Sequence, residues 1–369
     1  MNNMRIFLFV GTIDALMSII GYMYYRHYLP FGRTLTFGLI YLLMALGTAI
    51  SVILPQGTPH FLLKLTAWIE GLWIAFCYYT LLLAIIHLIC RLISKLSGWQ
   101  LPSDKISIIG LAFICCFISW GSWRAFHPTV RTEVLITEKL PQNAHYKIVF
   151  LTDLHMGRIL GHDYAERLAA RVNEQKPDFV VVSGDMLDER IFYVEEEDTL
   201  SALAQIQAPV YMAFGNHDYL DEPLRWQKML TDKGFSILRN TYTIIDNKIK
   251  ITGIDDYSKN RTNSQLINLS SQNKDYYSIL LDHQPRRMDA AADAGYDLYL
   301  AGHTHTGQLF PNRLVTKKMY KLDYGRTDFG TLTAITNNGY GFWGPPVRTE
   351  VAPEMVVLAV SYTHLTLPT

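Results

Sequence analysis

Cysteine is confined to the first third of this 369-residue chain, at Cys77, Cys90, Cys115 and Cys116. The rest has none, which excludes a disulfide framework and thiolate metal ligands there. Acidic residues are scarce in the same first third: residues 1–127 hold 8 Lys/Arg against 3 Asp/Glu. Residues 128–369 hold 25 against 30, so the net charge of zero is the sum of two unlike pieces. The acidic balance of the second piece argues against a nucleic-acid partner, which requires a basic surface. A small-residue cleavage site is missing after the first apolar segment, and more such segments follow. That segment therefore reads as a retained helix and not as a removable signal.

Long apolar runs are what the first third has in abundance. Four of them, at about 6–25, 34–54, 66–90 and 106–123, approach the roughly 20 residues needed to cross a bilayer. Residues 1–127 are therefore expected to form a multi-pass transmembrane module of four helices that contacts membrane lipid. An even number of spans places both flanks on one side. The first and third connections carry Arg26, Arg33, Arg91, Lys95 and Lys105, against Arg5, Lys64 and Arg124 at the opposite ends. This excess favours cytoplasmic connections and an extracytoplasmic second domain. Asp14, Glu70 and His87 lie within the spans, where ionisable groups are functional candidates by default. The simpler expectation is that Glu70 and His87 reach the interface and Asp14 bonds a neighbouring helix.

From residue 128 the pattern changes to short apolar runs alternating with amphipathic stretches such as "DYAERLAARVNEQ" and "EPLRWQKMLTDKG". Continuous apolar strands separated by helices indicate an α/β domain whose sheet is covered on both faces. Its expected extent is 128–360. Residues 361–369, "SYTHLTLPT", follow the last strand without any periodic pattern and read as an artefactual or disordered tail without function.

Five of the apolar runs end in polar residues, where ligands gather in such domains. "TDLH" presents Asp153 and His155, two apart and expected on one side of an extended backbone. "SGDMLDE" presents Asp185, "FGNHD" Asn216, His217 and Asp218, "LDHQP" His283, and "AGHTHTG" His303 and His305. Gly184, Gly215 and Gly302 precede these residues, where sharp turns are expected. Crowding so many ionisable groups without a cation is costly, and a metal centre removes that cost. Nitrogen and oxygen ligands without sulfur suit Mn, Fe or Zn. Seven ligands suit two divalent ions sharing one oxygen, which clamp the attacking and leaving oxygens of a phosphoryl displacement and acidify a bridging water. His217 is then free to protonate a leaving alkoxide, with Asp218 holding its ring.

D-x-H, G-D-x-x-D, G-N-H-D, a lone His and G-H-T-H, in this order, resemble the calcineurin-like metallophosphoesterases over roughly residues 128–360. The wording "GHTHTGQLFP" and "GYGFWGPPVRTEVAPEMVVL" is similar to a bacterial membrane-associated branch. That branch includes phosphodiesterases and hydrolases of the UDP-2,3-diacylglucosamine type. The resemblance implies a four-layer α/β/β/α sandwich. It also implies one ion on Asp153, His155, Asp185 and His305, and a second on Asp185, Asn216, His283 and His303. His217 is the implied general acid, and Asp188 is left with bonding inside its loop.

The expected function is hydrolysis of a phosphodiester or pyrophosphate bond by a metal-bridging hydroxide, at a bacterial inner membrane. The substrate is a phosphate ester, with lipid- or envelope-linked phosphates among the candidates. Segments 195–198 and 257–263 are expected to line the approach. A phosphomonoesterase or protein phosphatase uses the same metals. A transporter or sensor, in which the helices act and the metal domain only binds, is the rival from another class.

Overall fold

In the second part of the chain, strands of two to eight residues, most of them apolar, form two six-stranded sheets. The first sheet contains β1 (Thr129–Ile136), β2 (His145–Leu151), β3 (Phe179–Ser183), β4 (Val210–Ala213) and β5 (Ser236–Ile237). The second contains β6 (Thr241–Ile245), β7 (Ile249–Gly253), β8 (Tyr277–Leu281), β9 (Leu298–Ala301), β10 (Gly325–Phe329) and β11 (Leu332–Thr336). The last strand, β12 (Glu354–Ser361), returns to the first sheet between β1 and β2. The strand orders are β1-β12-β2-β3-β4-β5 and β10-β11-β9-β8-β7-β6. Neighbours from β2 to β5 and from β7 to β9 run parallel, so their carboxyl ends share an edge within each sheet.

Successive side chains of a strand point to opposite faces, and here both faces are buried. Ile148, Phe150, Val181, Ile279, Leu281 and Leu300 meet in a core between the sheets. Their neighbours Val149, Leu151, Val180 and Val182 pack outward against Leu168, Val172 and Trp226 of covering helices. Leu280, Tyr299 and Ala301 do the same against Leu266, Met288 and Ala291. The four layers of helix, sheet, sheet and helix follow from this double burial.

The computed structural model describes residues 2–54, 57–270 and 274–362, apart from the side chains of residues 2–10, 49 and 51–53. The tail read as artefactual or disordered lies outside them from residue 363 on, while Ser361 completes β12. Two compact units emerge, Met1–Arg124 with Gly344–Thr349, and Ala125–Trp343 with Glu350–Thr369. The helical unit contains α1 (Asn2–Tyr28), α2 (Leu35–Ile53), α3 (His60–Ser97) and α4 (Ser103–Ala125).

All four expected helices exist, but among the described residues only α3 and α4 are long and apolar enough to cross a membrane. In α2 the apolar stretch is Leu35–Thr48, and α1 carries Asp14, Arg26 and His27. At 38 residues α3 measures about 57 Å, well beyond a hydrocarbon core of roughly 30 Å. His87 is therefore not near a helix end, as expected, but buried inside. Its Nδ1 faces Tyr24 Oη at 2.9 Å and its Nε2 faces Ser103 Oγ at 3.0 Å. Segment 344–349 packs closely within this unit. A Cβ on Gly71 would lie 2.4 Å from Pro346, and one on Gly121 2.6 Å from Thr349.

Seven further helices belong to the second unit: α5 (His162–Glu174), α6 (Ile191–Glu196), α7 (Thr199–Leu203), α8 (Pro223–Asp232), α9 (Ser264–Asn268), α10 (Met288–Asp293) and α11 (Arg313–Met319). In α5 the buried Tyr164, Ala165, Leu168, Ala169 and Val172 fall on one helical face.

Leu300→Ala opens a cavity between the sheets and is expected to cost about 2–5 kcal/mol of unfolding free energy. Leu224→Ala, at a site 76% exposed, is expected to stay within about 0.5 kcal/mol. Urea unfolding of the two variants followed by tryptophan fluorescence checks the contrast.

Candidate metal centre

Each predicted ligand follows the carboxyl end of a parallel strand: β2 for Asp153 and His155, β3 for Asp185, β4 for Asn216, β8 for His283, and β9 for His303 and His305. The order β2-β3-β4 in one sheet and β9-β8 in the other groups these loops. The backbone there is not extended, contrary to the expectation for the D-x-H pair. Asp153, His155, Asp185, His303 and His305 all have positive φ, between 45° and 71°. That region is costly for residues other than glycine. Hydrogen bonds maintain it: Asp153 N donates to Gly184 O, His155 N to Asp185 O, and His303 N to Asp153 Oδ2.

The expected turns at three glycines also resolve into two different causes. Gly184 has φ +86°, which only glycine adopts freely. Gly302 instead makes room: a Cβ there would lie 2.1 Å from Thr152 Oγ1 and 2.3 Å from Asp153 Oδ2. Gly215 likewise clears space for the Asp185 carboxylate.

The side chains converge. His155 Nε2 and His305 Nε2 face each other at 3.0 Å, and His305 Nε2 lies 3.3 Å from Asp153 Oδ1. His155 Nε2 is 3.8 Å from Asp153 Oδ1 and 3.9 Å from Asp185 Oδ2. On the other side of Asp185, His283 Nε2 stands 3.0 Å from Oδ2, and His303 Nδ1 stands 3.2 Å from His283 Nε2. Asp153, His155 and His305 form one group with metal-ligand spacing, and Asp185, His283 and His303 another. A third joins His155, Asp185 and His217. Asn216 stands beside the shared carboxylate, because the next residue's N–H donates to Asp185 Oδ1 at 2.8 Å.

These residues fit divalent ions. Asp153 Oδ1 and Asn216 Oδ1 are buried and accept no hydrogen bond, which is costly unless a cation takes their lone pairs. Ring orientation is set from behind. His155 Nδ1 donates to Asp188 Oδ1 at 3.1 Å and His283 Nδ1 to Ser183 O at 2.7 Å, so both Nε2 atoms point at the cluster.

Without a metal, protons supply the positive charge. Burial opposes a charged His155, yet the neighbouring carboxylates of Asp153 and Asp188 overcome it and push its pKa from 6.5 up to about 10. Burial also opposes ionisation of Asp153, but His305 and His155 hold it well below its ordinary 3.8. His303 goes the other way, pushed down to about 4 by burial and by the positive His283.

The role expected of Asp218 is not the one the structure gives it. Its Oδ2 accepts from Asp185 N and Gly215 N, both at 2.8 Å. Its Oδ1 accepts from Met186 N, Leu187 N and Trp226 Nε1 at 3.2, 3.1 and 3.0 Å. With both oxygens occupied, Asp218 clamps the β3 and β4 loops instead of the His217 ring. That ring donates from Nδ1 to Asp188 O at 2.6 Å. Asp188 thus orients His155 with its side chain and His217 with its backbone, a double role that sequence reasoning missed. The G-D-x-x-D spacing was the available signal. Trp343, with its ring 6.1 Å from that of His217, carried no signal. Of the two loops expected at the approach, Tyr257 stacks over Arg286 beside the site. Glu197 instead accepts from His162 N at the start of α5.

The His155 proton stabilises the metal-free fold fully below pH 6.5, and this contribution is lost as pH rises through about 10. Metal binding must displace that proton. The rise in unfolding temperature produced by Mn²⁺ is therefore expected to be larger near pH 9 than near pH 6, measured by scanning fluorimetry. The opposite trend would remove His155 from the ligand set.

Residues 146–307 match the calcineurin-like phosphoesterase family. An uncharacterized metallophosphoesterase of Aquifex aeolicus is 30% identical over 241 residues, covering 63% of this chain and 91% of that protein. A second, from Helicobacter pylori, is 30% identical over 250 residues, covering 64% of this chain and 66% of its own length. A Danio rerio relative named "Transmembrane protein with metallophosphoesterase domain" is 26% identical over 318 residues, covering 79% of this chain and 71% of that one. Sequence likeness and site chemistry agree, and the chain belongs to the calcineurin-like metallophosphoesterases, a family of metal-dependent phosphoester hydrolases.

Proposed function

We propose that the protein is a membrane-anchored, two-metal phosphoesterase that hydrolyses a phosphodiester or pyrophosphate bond. Asp153, His155, Asp185 and His305 would hold one ion, and Asp185, Asn216, His283 and His303 the other. The observation carrying this reading is the position of Asp185, between the His155/His305 side and the His283/His303 side. Divalent ions held there supply the Lewis acidity that phosphoryl transfer to water requires.

The chain's own residues handle the proton. With Nδ1 of His217 donating to Asp188 O, Nε2 is left to carry the proton that a leaving alkoxide takes. The His155 ring lies edge-on at 4.8 Å from the His217 ring, and the Trp343 ring lies 6.1 Å from it. Asp218 maintains the loop geometry under this arrangement and touches no reacting atom.

Membrane anchoring is supported by the polarity of the helical unit, which is inverted relative to a water-soluble bundle. Leu43, Leu96, Ile109 and Phe113 point outward with 63–89% exposure. Trp73 Nε1 meanwhile donates to Ser18 Oγ, and Tyr25 Oη meets Thr80 Oγ1, both inside. An apolar exterior, with polar groups such as these paired inside, suits hydrocarbon. The excess of positive residues on the first and third connections supports a catalytic domain outside a bacterial inner membrane.

A surface patch of the catalytic unit supports a substrate at the lipid surface. Phe310, Leu314, Val315, Met319 and Trp343 are all more than half exposed, and Lys317 and Lys318 close the same short helix, α11. Gln308 ties Trp343 to this segment through two hydrogen bonds of 2.8 and 3.0 Å. Exposed aromatic and aliphatic groups beside lysines suit an anionic bilayer interface.

The purified full chain is expected to hydrolyse bis-p-nitrophenyl phosphate when supplied with Mn²⁺. Asp185→Asn should reduce turnover by at least about 100-fold, given the loss that even indirect partners of a metal cause. His217→Gln should lower kcat by about 10²–10⁴ with metal content unchanged. Wild-type rates in Asp185→Asn would refute the mechanism, and release of the protein by alkaline carbonate would refute the anchor.

A further inference from the structure

The segment after His283 contains two consecutive arginines with opposite surroundings. Arg287 is buried, and its Nη1 donates to Asp282 Oδ1 at 2.8 Å, so its charge is neutralised. Arg286 is exposed, and among the described residues no carboxylate pairs with it.

The Arg286 side chain is nevertheless fixed. Its Nε donates to Gln284 Oε1 at 3.0 Å and its Nη2 to Tyr320 Oη at 3.2 Å. The guanidinium carbon stands 4.6 Å from the Tyr320 ring centre and 5.4 Å from that of Tyr257. The Gln284 amide cannot turn over, because its Nε2 donates to both oxygens of Asp256 at 3.1 Å. Its oxygen is thus committed to Arg286. Two links connect this cation to the ligand set. Gln284 directly follows His283 in the chain, and the Tyr320 ring lies 6.1 Å from that of His303.

We propose that Arg286, held by Gln284, Tyr257 and Tyr320, is a subsite for a second anionic group of the substrate, which makes pyrophosphate-linked esters the favoured class. The inference rests on the two-metal reading of the adjoining site. Aromatic faces and amide oxygens orient a guanidinium without cancelling its charge. Its Nη1 makes no hydrogen bond among the described residues, which leaves a donor edge for an incoming oxyanion. A flexible surface arginine loses rotamer entropy on binding an anion, and a fixed one has already lost it. The planar fork suits phosphate oxygens. A simple diester has one negative charge, and the metal centre takes it. A pyrophosphate-linked ester offers the next phosphate to Arg286.

The test compares UDP-glucose, supplied as its non-hydrolysable methylene-bisphosphonate analogue, with UMP as ligands of the Mn²⁺-loaded full chain, by equilibrium dialysis. The wild type is expected to bind UDP-glucose more tightly. Arg286→Gln should raise the UDP-glucose Kd by roughly tenfold, as for loss of a charge-assisted hydrogen bond, and shift the UMP Kd by less than about twofold. Arg286→Lys should fall between, since it keeps the charge and loses the fork. Catalytic efficiency on bis-p-nitrophenyl phosphate, measured separately, should be unchanged in Arg286→Gln, which also shows that the variant is folded. Equal wild-type affinity for the two ligands, or an equal change in both Kd values, overturns the subsite. Failure of the wild type to turn over bis-p-nitrophenyl phosphate would instead strike the two-metal reading, and the binding comparison would still decide the subsite.

Discussion

Two buried carboxylates and three buried imidazoles within a few ångströms of one another form a cluster that needs positive charge to exist. Asp153, Asp185, His155, His283 and His305 are all at most 7% exposed. The surrounding chain adopts costly backbone at five ligand positions to bring them together. Such strain persists only where the scaffold over-determines it. Here the scaffold is a pair of sheets buried on both faces, whose carboxyl edges cannot shift without disrupting the core between them.

The geometry of the cluster depends on a quieter division of labour among three neighbouring acids. Asp185 faces the ligands on both sides. Asp218 is spent on four backbone N–H groups and an indole, holding two loops in register. Asp188 orients the rings of His155 and His217 together. Three aspartates within 34 residues thus face imidazoles on two sides, satisfy backbone amides and orient imidazole rings, respectively.

The helical unit obeys the same accounting of polar groups in a different solvent. His87, which a span-end position would have left at the interface, is matched inside by Tyr24 and Ser103. The apolar exterior of this unit suits lipid surroundings, and the exposed patch around α11 of the other unit suits, on its own, a lipid interface. Arg286 adds a fixed cation at the opposite chemical extreme, so the proposed substrate has an apolar anchor and more than one anionic group.

Much of this was legible beforehand. Apolar runs ending in acid, amide or imidazole marked the five strand ends, because burial on both faces forces a continuous run and leaves chemistry only at its tip. The α5 and α8 helices showed the period their buried faces require. What local pattern could not supply was which partner each polar group meets. Asp218 stands next to His217 in the chain but points at amides from another loop, and Asp188 holds a histidine 33 residues away. Gly302 is needed for the space beside Asp153, about 150 residues distant. Residue order determined the strands, their polar tips and the kinds of ligand available. Tertiary structure decided which oxygen faces which nitrogen, because hydrogen bonds and metal-ligand distances are set by packing across the sheets and not by neighbours along the chain.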